Sequence, residues 1–299
     1  MNNVEEVNEI LARRAPALDR LLSPLGQGAF FPPDIPFQAA EAKNTRYNGT
    51  IGVFTDGAGH ALPLPTMAEL LAFEGADRDR AFLYSPVLGI PEMRDAWRAW
   101  QRGGPRSGQA DLEPAADQPS TRPVVTCGLT HGLSLVADLF GGRGRKMALT
   151  APFWGNYRQT FTLRTGAELI SEPAYDDGVW DPTAIGRALD RIPTDEPALA
   201  LVNFPSNPGG YSPTEDQVDV VADLLLARAE HAPLAVICDD AYSGLVFEEG
   251  VPNRSLFWSL AGRHENLVPV KIDGATKEFA LFGGRVGFLT LGVDLDDSV

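Results

Sequence analysis

The sequence is poor in several residues on which common functional classes depend. Among 299 residues there are two cysteines, Cys127 and Cys238, and four histidines, none of which are paired at the spacing of a metal site. Both cysteines end apolar runs, so we expect buried free thiols in a reducing compartment, most simply the cytoplasm. A disulfide-stabilised scaffold and a metal centre are not expected.

Positive charge is scarce as well. Only 25 lysines and arginines accompany 40 aspartates and glutamates, which gives a formal net charge of −15. A surface of this sign repels phosphate backbones and anionic lipids, so neither nucleic acid nor a membrane is expected as a partner. The sequence also has no apolar run long enough to span a membrane. Small anions can still bind where arginine and backbone N–H groups converge.

Several motifs that identify enzyme classes are absent. The chain contains no GxGxxG, no GxxxxGK[ST] and no GxSxG. A dinucleotide-binding, P-loop or serine-hydrolase function therefore lacks the residues it needs.

What the chain does contain is an alternation of short apolar runs and helical patterns from about residue 121 onward. This alternation is typical of an α/β fold with a mostly parallel sheet. A capping box at Ser212 to Glu215 predicts a helix to about Ala229, and Asp181-Pro182 predicts the start of another. The predicted strands are Pro123–Cys127, Lys146–Thr150, Ala198–Asn203, Leu234–Cys238, Leu267–Ile272 and Val286–Leu291.

The N-terminal part and one internal segment follow another pattern. Helical periodicity near residues 4–22 and 66–73 flanks the proline-rich segment Phe30 to Pro36, which favours an extended arm. Residues 103–122 are rich in glycine, proline and polar side chains, so we expect a surface loop there.

Lys277 is the most informative single residue. The chain has four lysines, and only this one lies in a short loop after an apolar strand, eight positions before the glycine-flanked Arg285. A desolvated lysine beside a fixed cation is kept partly neutral, as imine formation requires, and arginine offers a planar fork to a phosphate. This pair suggests pyridoxal phosphate (PLP), although a solvated loop lysine remains an alternative for the motif taken alone.

Other polar and aromatic residues also follow predicted strands, where parallel sheets bind their ligands. Thr130 begins a helix whose amides can hold a phosphate, or it belongs to a simple tight turn. Trp154 can stack on a heteroaromatic ring, or it packs in the core. Asn207 lies in a turn and can donate to a phenolate oxygen. Asp239 is costly to bury without a partner, for which a pyridinium N–H is suitable, although a helix N-cap is also possible.

Taken in order, these segments resemble the fold-type I PLP enzymes, most closely the class I and II aminotransferases. The resemblance covers roughly residues 80–290. It implies an α/β/α large domain, a homodimer, and exchange of an amino group between an L-amino acid and a 2-oxo acid through a Lys277 aldimine. It assigns Lys277, Asp239 and Tyr242 to catalysis. The cofactor-binding residues that it implies are Leu129, Thr130, Trp154, Asn207, Asp239, Tyr242, Lys277, Arg285 and, from the neighbouring subunit, Tyr84.

The chain departs from the family pattern at two positions and in length. Gly274 replaces a phosphate-binding serine, and Gly209 replaces the threonine of N-P-T-G. We expect residues 1–66 to form the N-terminal arm with part of a small domain, and residues 67–299 to form the PLP-binding large domain. Most of the small domain, with the arginine for the substrate carboxylate, is expected beyond Val299.

Two further functions remain open at this point. A β-lyase or decarboxylase of the same fold shares the cofactor residues, which do not decide which bond at Cα breaks. A non-catalytic PLP-sensing domain is the other alternative. Proteins of that kind normally carry a basic winged-helix segment, which neither the first 80 residues nor the charge of −15 offers.

Overall fold

The computed structural model, which describes residues 4–29, 35–50, 52–103 and 118–295, has a mostly parallel β-sheet at its centre. Within those residues the strands are β1 (Val124–Thr126), β2 (Lys146–Ala151), β3 (Glu168–Pro173), β4 (Tyr175–Asp176), β5 (Val179–Trp180), β6 (Ala198–Val202), β7 (Leu234–Asp239), β8 (Leu267–Asp273) and β9 (Gly287–Leu291).

Helices surround the sheet and also form most of the N-terminal part. In the described residues they are α1 (Val4–Arg14), α2 (Pro16–Leu21), α3 (Pro24–Gly28), α4 (Ile35–Ala42), α5 (Pro65–Leu70), α6 (Gly75–Arg80), α7 (Pro91–Gln101), α8 (Leu129–Phe140), α9 (Ala184–Asp190), α10 (Glu215–Ala229), α11 (Leu256–Leu260) and α12 (Ala275–Glu278). A π-helical segment covers Arg158–Leu163.

The main sheet has the order β1-β9-β8-β7-β6-β2-β3 among the described strands. Only β9 runs against its neighbours, β1 and β8, and the other pairs are parallel. Parallel neighbours need crossover connections, and here these place α9, α10 and α11 on one face and α8 with the π-helical segment on the other. The α/β fold with a mostly parallel sheet is therefore confirmed.

Strand β6 shows how the sequence fills both faces of the sheet. All five of its residues are buried. Ala198, Ala200 and Val202 pack with the cluster under α9 and α10, whereas Leu199 and Leu201 pack with the cluster under α8. Since side chains alternate along a strand, a continuous apolar run is the pattern of a strand covered on both sides.

The predicted strands agree closely with the structure, and the strands that were missed are peripheral. All six predicted strands are present, with ends that differ by one residue. The sequence analysis missed β3 and the short pair β4 and β5. In β3 only Ile170 is buried, because this strand lies at the edge of the sheet and carries polar residues on its exposed positions. An apolar run was therefore lacking.

Two predicted helix starts were wrong by a few residues. The cap of α10 is Thr214, whose backbone N–H donates to Gln217 Oε1 at 2.9 Å, so the capping box begins two residues later than Ser212. Helix α9 begins at Ala184, and Asp181 accepts a hydrogen bond from the Thr183 N–H at 2.8 Å in the turn before it.

The N-terminal predictions are confirmed only in part. The pattern over residues 4–22 is two helices, α1 and α2, separated at Ala15, because a residue before proline is disfavoured in helical conformation. Helix α5 corresponds to the pattern at 66–73. Residues 30–34 of the proline-rich segment and residues 104–117 of the predicted loop lie outside the described residues. The division into two domains stays a prediction.

The two cysteines have different environments, which corrects the expectation that both are buried. Cys238 is buried in β7, and burial raises the pKa of its thiol well above the usual value. Cys127 is exposed in the turn after β1. Both thiols are free. None of the described helices is both long and apolar enough to cross a membrane.

Candidate active site

A cavity of about 560 Å³ lies at the carboxyl ends of the central strands. This is the volume and position expected for a small-ligand site in a parallel sheet. The side chains that line it come from positions far apart in the sequence. Of the nine predicted cofactor-binding residues, eight line it: Leu129, Thr130, Trp154, Asn207, Asp239, Tyr242, Lys277 and Arg285.

Tyr84 is the predicted residue that does not line this cavity. Its side chain is fully exposed, in an apolar segment of which Phe82, Leu83 and Val87 are also exposed. The prediction placed Tyr84 in the site of a neighbouring subunit, so its position in one chain neither supports nor contradicts that role. The cross-subunit contact stays a prediction.

Asp239 ends β7 at the inner wall of the cavity with only 3% of its surface exposed. Its Oδ2 accepts a hydrogen bond of 2.6 Å from the Tyr157 hydroxyl. Its Oδ1 accepts a longer one, 3.3 Å, from the backbone N–H of Ala241. No lysine or arginine of the described residues lies within ion-pair distance of this carboxylate, so it reaches the cavity without a cation from its own chain.

The electrostatic consequence of this placement is a poorly stabilised carboxylate. Loss of solvation raises the pKa of Asp239 to about 6, and the neighbouring charge of Asp240 acts in the same direction. The hydrogen bond from Tyr157 and the more distant charge of Lys277 lower the pKa in part. A cationic group of a ligand in the cavity would supply the charge that this side chain lacks.

Asn203 and Asn207 hold the neighbouring strand end in place. Asn203 follows β6 and donates from its amide to the backbone carbonyl of Asp239 at 2.7 Å. Its Oδ1 accepts the backbone N–H of Asn207 at 2.7 Å. These two bonds fix the turn after β6 against the end of β7, so that Asn207 lines the cavity beside Tyr242.

Lys277 lies in the short helix α12 with its ammonium group near two aromatic rings. Its Nζ is 5.7 Å from the centre of the Tyr242 ring and 5.2 Å from that of Phe282. Burial lowers the pKa of Lys277, and the nearby positive charge of Arg285 lowers it further. The amine is therefore closer to its neutral, nucleophilic form than a solvated lysine.

The other lysines have no comparable setting. Lys271 is buried in β8 and ion-paired with Asp240 and Asp273, and Lys146 pairs with Glu196 at 3.0 Å. Lys43 is exposed beyond α4 and does not line the cavity. Lys277 is thus the lysine of the described residues that faces the cavity.

Leu129, Thr130 and Arg285 form a further part of the cavity lining. Helix α8 begins at Leu129, which lines the cavity, and an added Cβ at Gly128 would lie 2.9 Å from Arg285 Nη2. The guanidinium therefore occupies the space over this turn. Arg285 has no ion pair among the described residues, so the helix N-terminus and the arginine together offer donors and positive charge to a phosphate.

Glycines allow this close approach. At Gly287 an added Cβ would lie 2.6 Å from the backbone carbon of Gly128, and at Gly274 it would lie 2.5 Å from the Val286 carbonyl oxygen. No real Cβ tolerates such contacts with backbone. Gly274 is therefore required by the packing of β8 against the start of β9, which gives a physical reason for the missing serine at this position.

Gly209, the second departure from the family pattern, is explained by a tyrosine. A Cβ at Gly209 would lie 2.8 Å from both the Tyr175 hydroxyl and Ser206 Oγ. Tyr175 comes from the β4–β5 pair and contacts the Tyr211 ring at 6.4 Å. Tyr175 thus partly fills the space that a threonine side chain at position 209 would need.

Trp154 lies where a flat ligand can stack on it. Its indole is partly buried, lines the cavity and makes an edge-to-face contact of 5.7 Å with Tyr157. The Trp154 ring thus contacts both regions, since part of it packs on the core cluster and part of it lines the cavity.

Sequence analysis missed four residues of this site. Asn203 was included only as the end of a predicted strand, and no role was predicted for it or for Tyr157. Their signal was the spacing: each places a hydrogen-bonding group near the carboxyl end of a strand, next to Asp239. Phe54 and Phe282 also line the cavity and contact each other edge to face, with ring centres 5.8 Å apart, and Phe54 comes from a segment without any functional pattern.

The sequence comparisons with known proteins point to aminotransferases. The family described as aminotransferase class I and II matches residues 50–296. A valine–pyruvate aminotransferase of Mycobacterium tuberculosis is 27% identical over 274 residues, which are 91% of this chain and 63% of that protein. An aromatic-amino-acid aminotransferase of Thermococcus litoralis is 27% identical over 207 residues, 69% of this chain and 48% of that protein.

Solved structures show the same fold. An aminotransferase from Anaerococcus prevotii superposes with a TM-score of 0.72 at 21% identity, over 86% of this chain and 62% of that one. An aminotransferase from Mycobacterium tuberculosis gives a TM-score of 0.59 at 26% identity, over 85% and 59% of the two chains. The chain thus spans about half to two thirds of the length of the proteins that it matches.

Proposed function

Because the chain belongs to the class I and II aminotransferases, we propose that it is a PLP-dependent transaminase that exchanges an amino group between an L-amino acid and a 2-oxo acid. Members of this family generally depend on PLP. The observation that carries the proposal is the cavity itself, which is lined by a desolvated lysine, a buried carboxylate without a close ion pair, and an arginine beside a helix N-terminus.

The residues of the cavity fit PLP group by group. Arg285, Thr130 and the N–H of Leu129 would hold the phosphate at the start of α8. Trp154 would stack on the ring, and Asn207 with Tyr242 would donate to the phenolate oxygen. Asp239 would accept the hydrogen bond from the ring nitrogen. When bound, PLP supplies the electron sink for the bonds at the substrate Cα.

Lys277 would have two functions in this chemistry. Its Nζ would bind the cofactor covalently until an amino acid takes its place. The freed amine would then move the proton between the substrate Cα and the cofactor as a general base. The lowered pKa of Lys277 supports both functions, since each requires the neutral amine.

Asp239 would keep the ring nitrogen protonated. Its pKa of about 6 in the free protein falls when a cation lies beside it, so the carboxylate and a protonated ring nitrogen stabilise each other. Tyr157 would fix the direction of this carboxylate through its 2.6 Å hydrogen bond.

Assembly and location belong to the same proposal. The enzyme would act as a homodimer in which Tyr84 of one subunit reaches the phosphate of the other, and it would work in the cytoplasm. Residues 1–66 would form the arm with part of a small domain, and residues 67–299 the large domain. The β-lyase, decarboxylase and non-catalytic alternatives use the same cofactor residues, so products must separate them.

The test is spectroscopic and chemical. Protein loaded with PLP is mixed with single amino acids, and the cofactor spectrum and the products are followed. We expect conversion to the amino form of the cofactor and a 2-oxo acid that keeps all its carbons. Release of CO₂, or elimination with free ammonia, would indicate the decarboxylase or the lyase.

Two variants make this test specific. Lys277→Ala should abolish borohydride-stable attachment of the cofactor and the spectral conversion. Lys43→Ala, at an exposed lysine away from the cavity, should leave both unchanged. If the attached cofactor maps to another lysine, or if the wild type binds PLP without conversion by any amino acid, the proposed function is wrong.

A further inference from the structure

Much of the remaining cavity lining is apolar. It includes Val53, Phe54, Leu245 and Phe282, together with Thr50 and Gly52. The only charged side chains among the described lining residues are Asp239, Lys277 and Arg285, and the proposed function assigns each of them to the cofactor. The rest of the described lining offers no cation to a substrate side chain.

The position of Lys277 decides where a substrate side chain lies. A substrate amine replaces the lysine amine at the same cofactor atom, so its Cα must come within a few ångströms of the place of Nζ. Phe282 has its ring centre 5.2 Å from this Nζ, and Phe54 contacts Phe282 edge to face at 5.8 Å. A substrate side chain directed from this place towards Phe282 therefore meets these two rings.

We propose that the protein selects amino acids with apolar side chains, and that Phe54 and Phe282 form the surface that recognises them. This inference rests on the proposed function and specifies its substrate class. A carboxylate side chain placed against the two rings would lose its water without gaining a cation, whereas a leucine or phenylalanine side chain would gain apolar contact.

Phe54 is suited to this role because it belongs to a segment separate from the cofactor residues. It lies in the N-terminal part, beside the isolated bridge between Thr55 and Ala61, and almost half of its surface is exposed to solvent. A ring in this position can cover an apolar side chain and exclude water from it. In the free protein its main described ring partner is Phe282.

The first experiment compares substrates. Protein loaded with PLP is mixed with L-leucine, L-phenylalanine, L-aspartate or L-glutamate, and the rate of spectral conversion is measured against concentration. We expect the second-order rate constant of conversion to be about ten- to a hundredfold larger for the apolar amino acids. This is the range that corresponds to burying one apolar side chain. A preference for aspartate or glutamate would overturn the inference and leave the proposed function intact.

The second experiment measures binding without turnover. The PLP-loaded protein is titrated in a calorimeter with 4-methylpentanoate and with succinate. These acids carry the side chains of leucine and aspartate but have no amino group, so they bind without reacting. We expect tighter binding of 4-methylpentanoate, by about tenfold or more. Equal or tighter binding of succinate would overturn the inference. Absence of conversion by every amino acid in the first experiment would instead contradict the proposed function.

Variants then assign the effect to the two rings. Phe54→Ala and Phe282→Ala should weaken 4-methylpentanoate binding by about fivefold or more and leave succinate binding unchanged, while Phe54→Leu keeps most of the affinity. Val179→Ala, in the exposed β4–β5 pair, is the control and should change neither. Unfolding temperatures show whether each variant is folded. Equal losses for both ligands in folded Phe54 and Phe282 variants would overturn the role of the rings.

Discussion

Replacement of Asp239 by asparagine should stabilise the cofactor-free protein. Burial raises the pKa of this carboxyl from 3.8 to about 6. When the pKa of an acid is higher in the folded state than in the unfolded state, ionisation of that acid destabilises the folded state. At about 1.4 kcal/mol for each of roughly two pH units, the ionised Asp239 costs about 3 kcal/mol of folding free energy above pH 6. Asparagine removes this charge and can still accept the hydrogen bond from Tyr157.

The pH dependence distinguishes this cost from other effects. Below about pH 3.8 the carboxyl is protonated in both the folded and the unfolded state, so it contributes nothing. As pH rises from 3.8 to 6 the folded state holds its proton longer, and stability falls. Urea unfolding of the cofactor-free proteins should show a gain for Asp239→Asn of about 3 kcal/mol at pH 7.5 and about 1 kcal/mol at pH 4.5.

A matched control is Asp223→Asn, at an exposed position in α10, which should change stability by less than about 0.5 kcal/mol at either pH. With PLP the order should reverse, because asparagine cannot hold the ring nitrogen protonated, and amino-group transfer should slow by orders of magnitude. If the cofactor-free variant is less stable than the wild type at pH 7.5, Asp239 is not an unsatisfied buried charge, and the reasoning is refuted.

Three further predictions concern the surroundings of the site. Gly274→Ser should weaken PLP binding by about tenfold, measured by absorbance titration, because its Cβ would lie 2.5 Å from the Val286 carbonyl oxygen; tighter binding would mean that the serine adds a donor after all. Lys271→Met should cost about 3–5 kcal/mol in urea unfolding, since it leaves Asp240 buried without its cation, and adding Asp240→Asn should restore most of this loss; no recovery would argue against the pair. Tyr84→Phe should lower PLP affinity about ten- to a hundredfold, and mixed dimers with Lys277→Ala should regain one complete site; an active monomer would exclude the shared site.

The sheet and most of the cavity could be predicted because their signals are local. A strand buried on both faces is a continuous apolar run, and β6, β7 and β8 have this pattern. The residue after such a strand is placed by the strand itself. Asp239 was therefore identified from its own segment, and it lines the cavity.

The parts that sequence analysis missed depend on contacts between distant segments. Nothing near Phe54 indicates that it faces Phe282, because their contact joins positions more than two hundred residues apart. Gly274 is similar. The sequence showed that a serine was missing, but only the 2.5 Å approach to the Val286 carbonyl explains why no side chain fits. Such constraints arise from packing, which a single sequence does not display.

Two adjacent aspartates at the end of β7 give the strongest physical argument about this protein. Asp239 and Asp240 are both almost completely buried, and the strand directs them to opposite faces of the sheet. Asp240 has a cation of its own chain, Lys271, and a 2.6 Å hydrogen bond from Ser255. Asp239 has a tyrosine hydroxyl but no lysine or arginine of the described residues at ion-pair distance, and it lines the cavity. Because an ionised buried carboxylate is costly without a positive partner, a protonated ring nitrogen of a ligand at this wall would supply the close cation that Asp239 lacks.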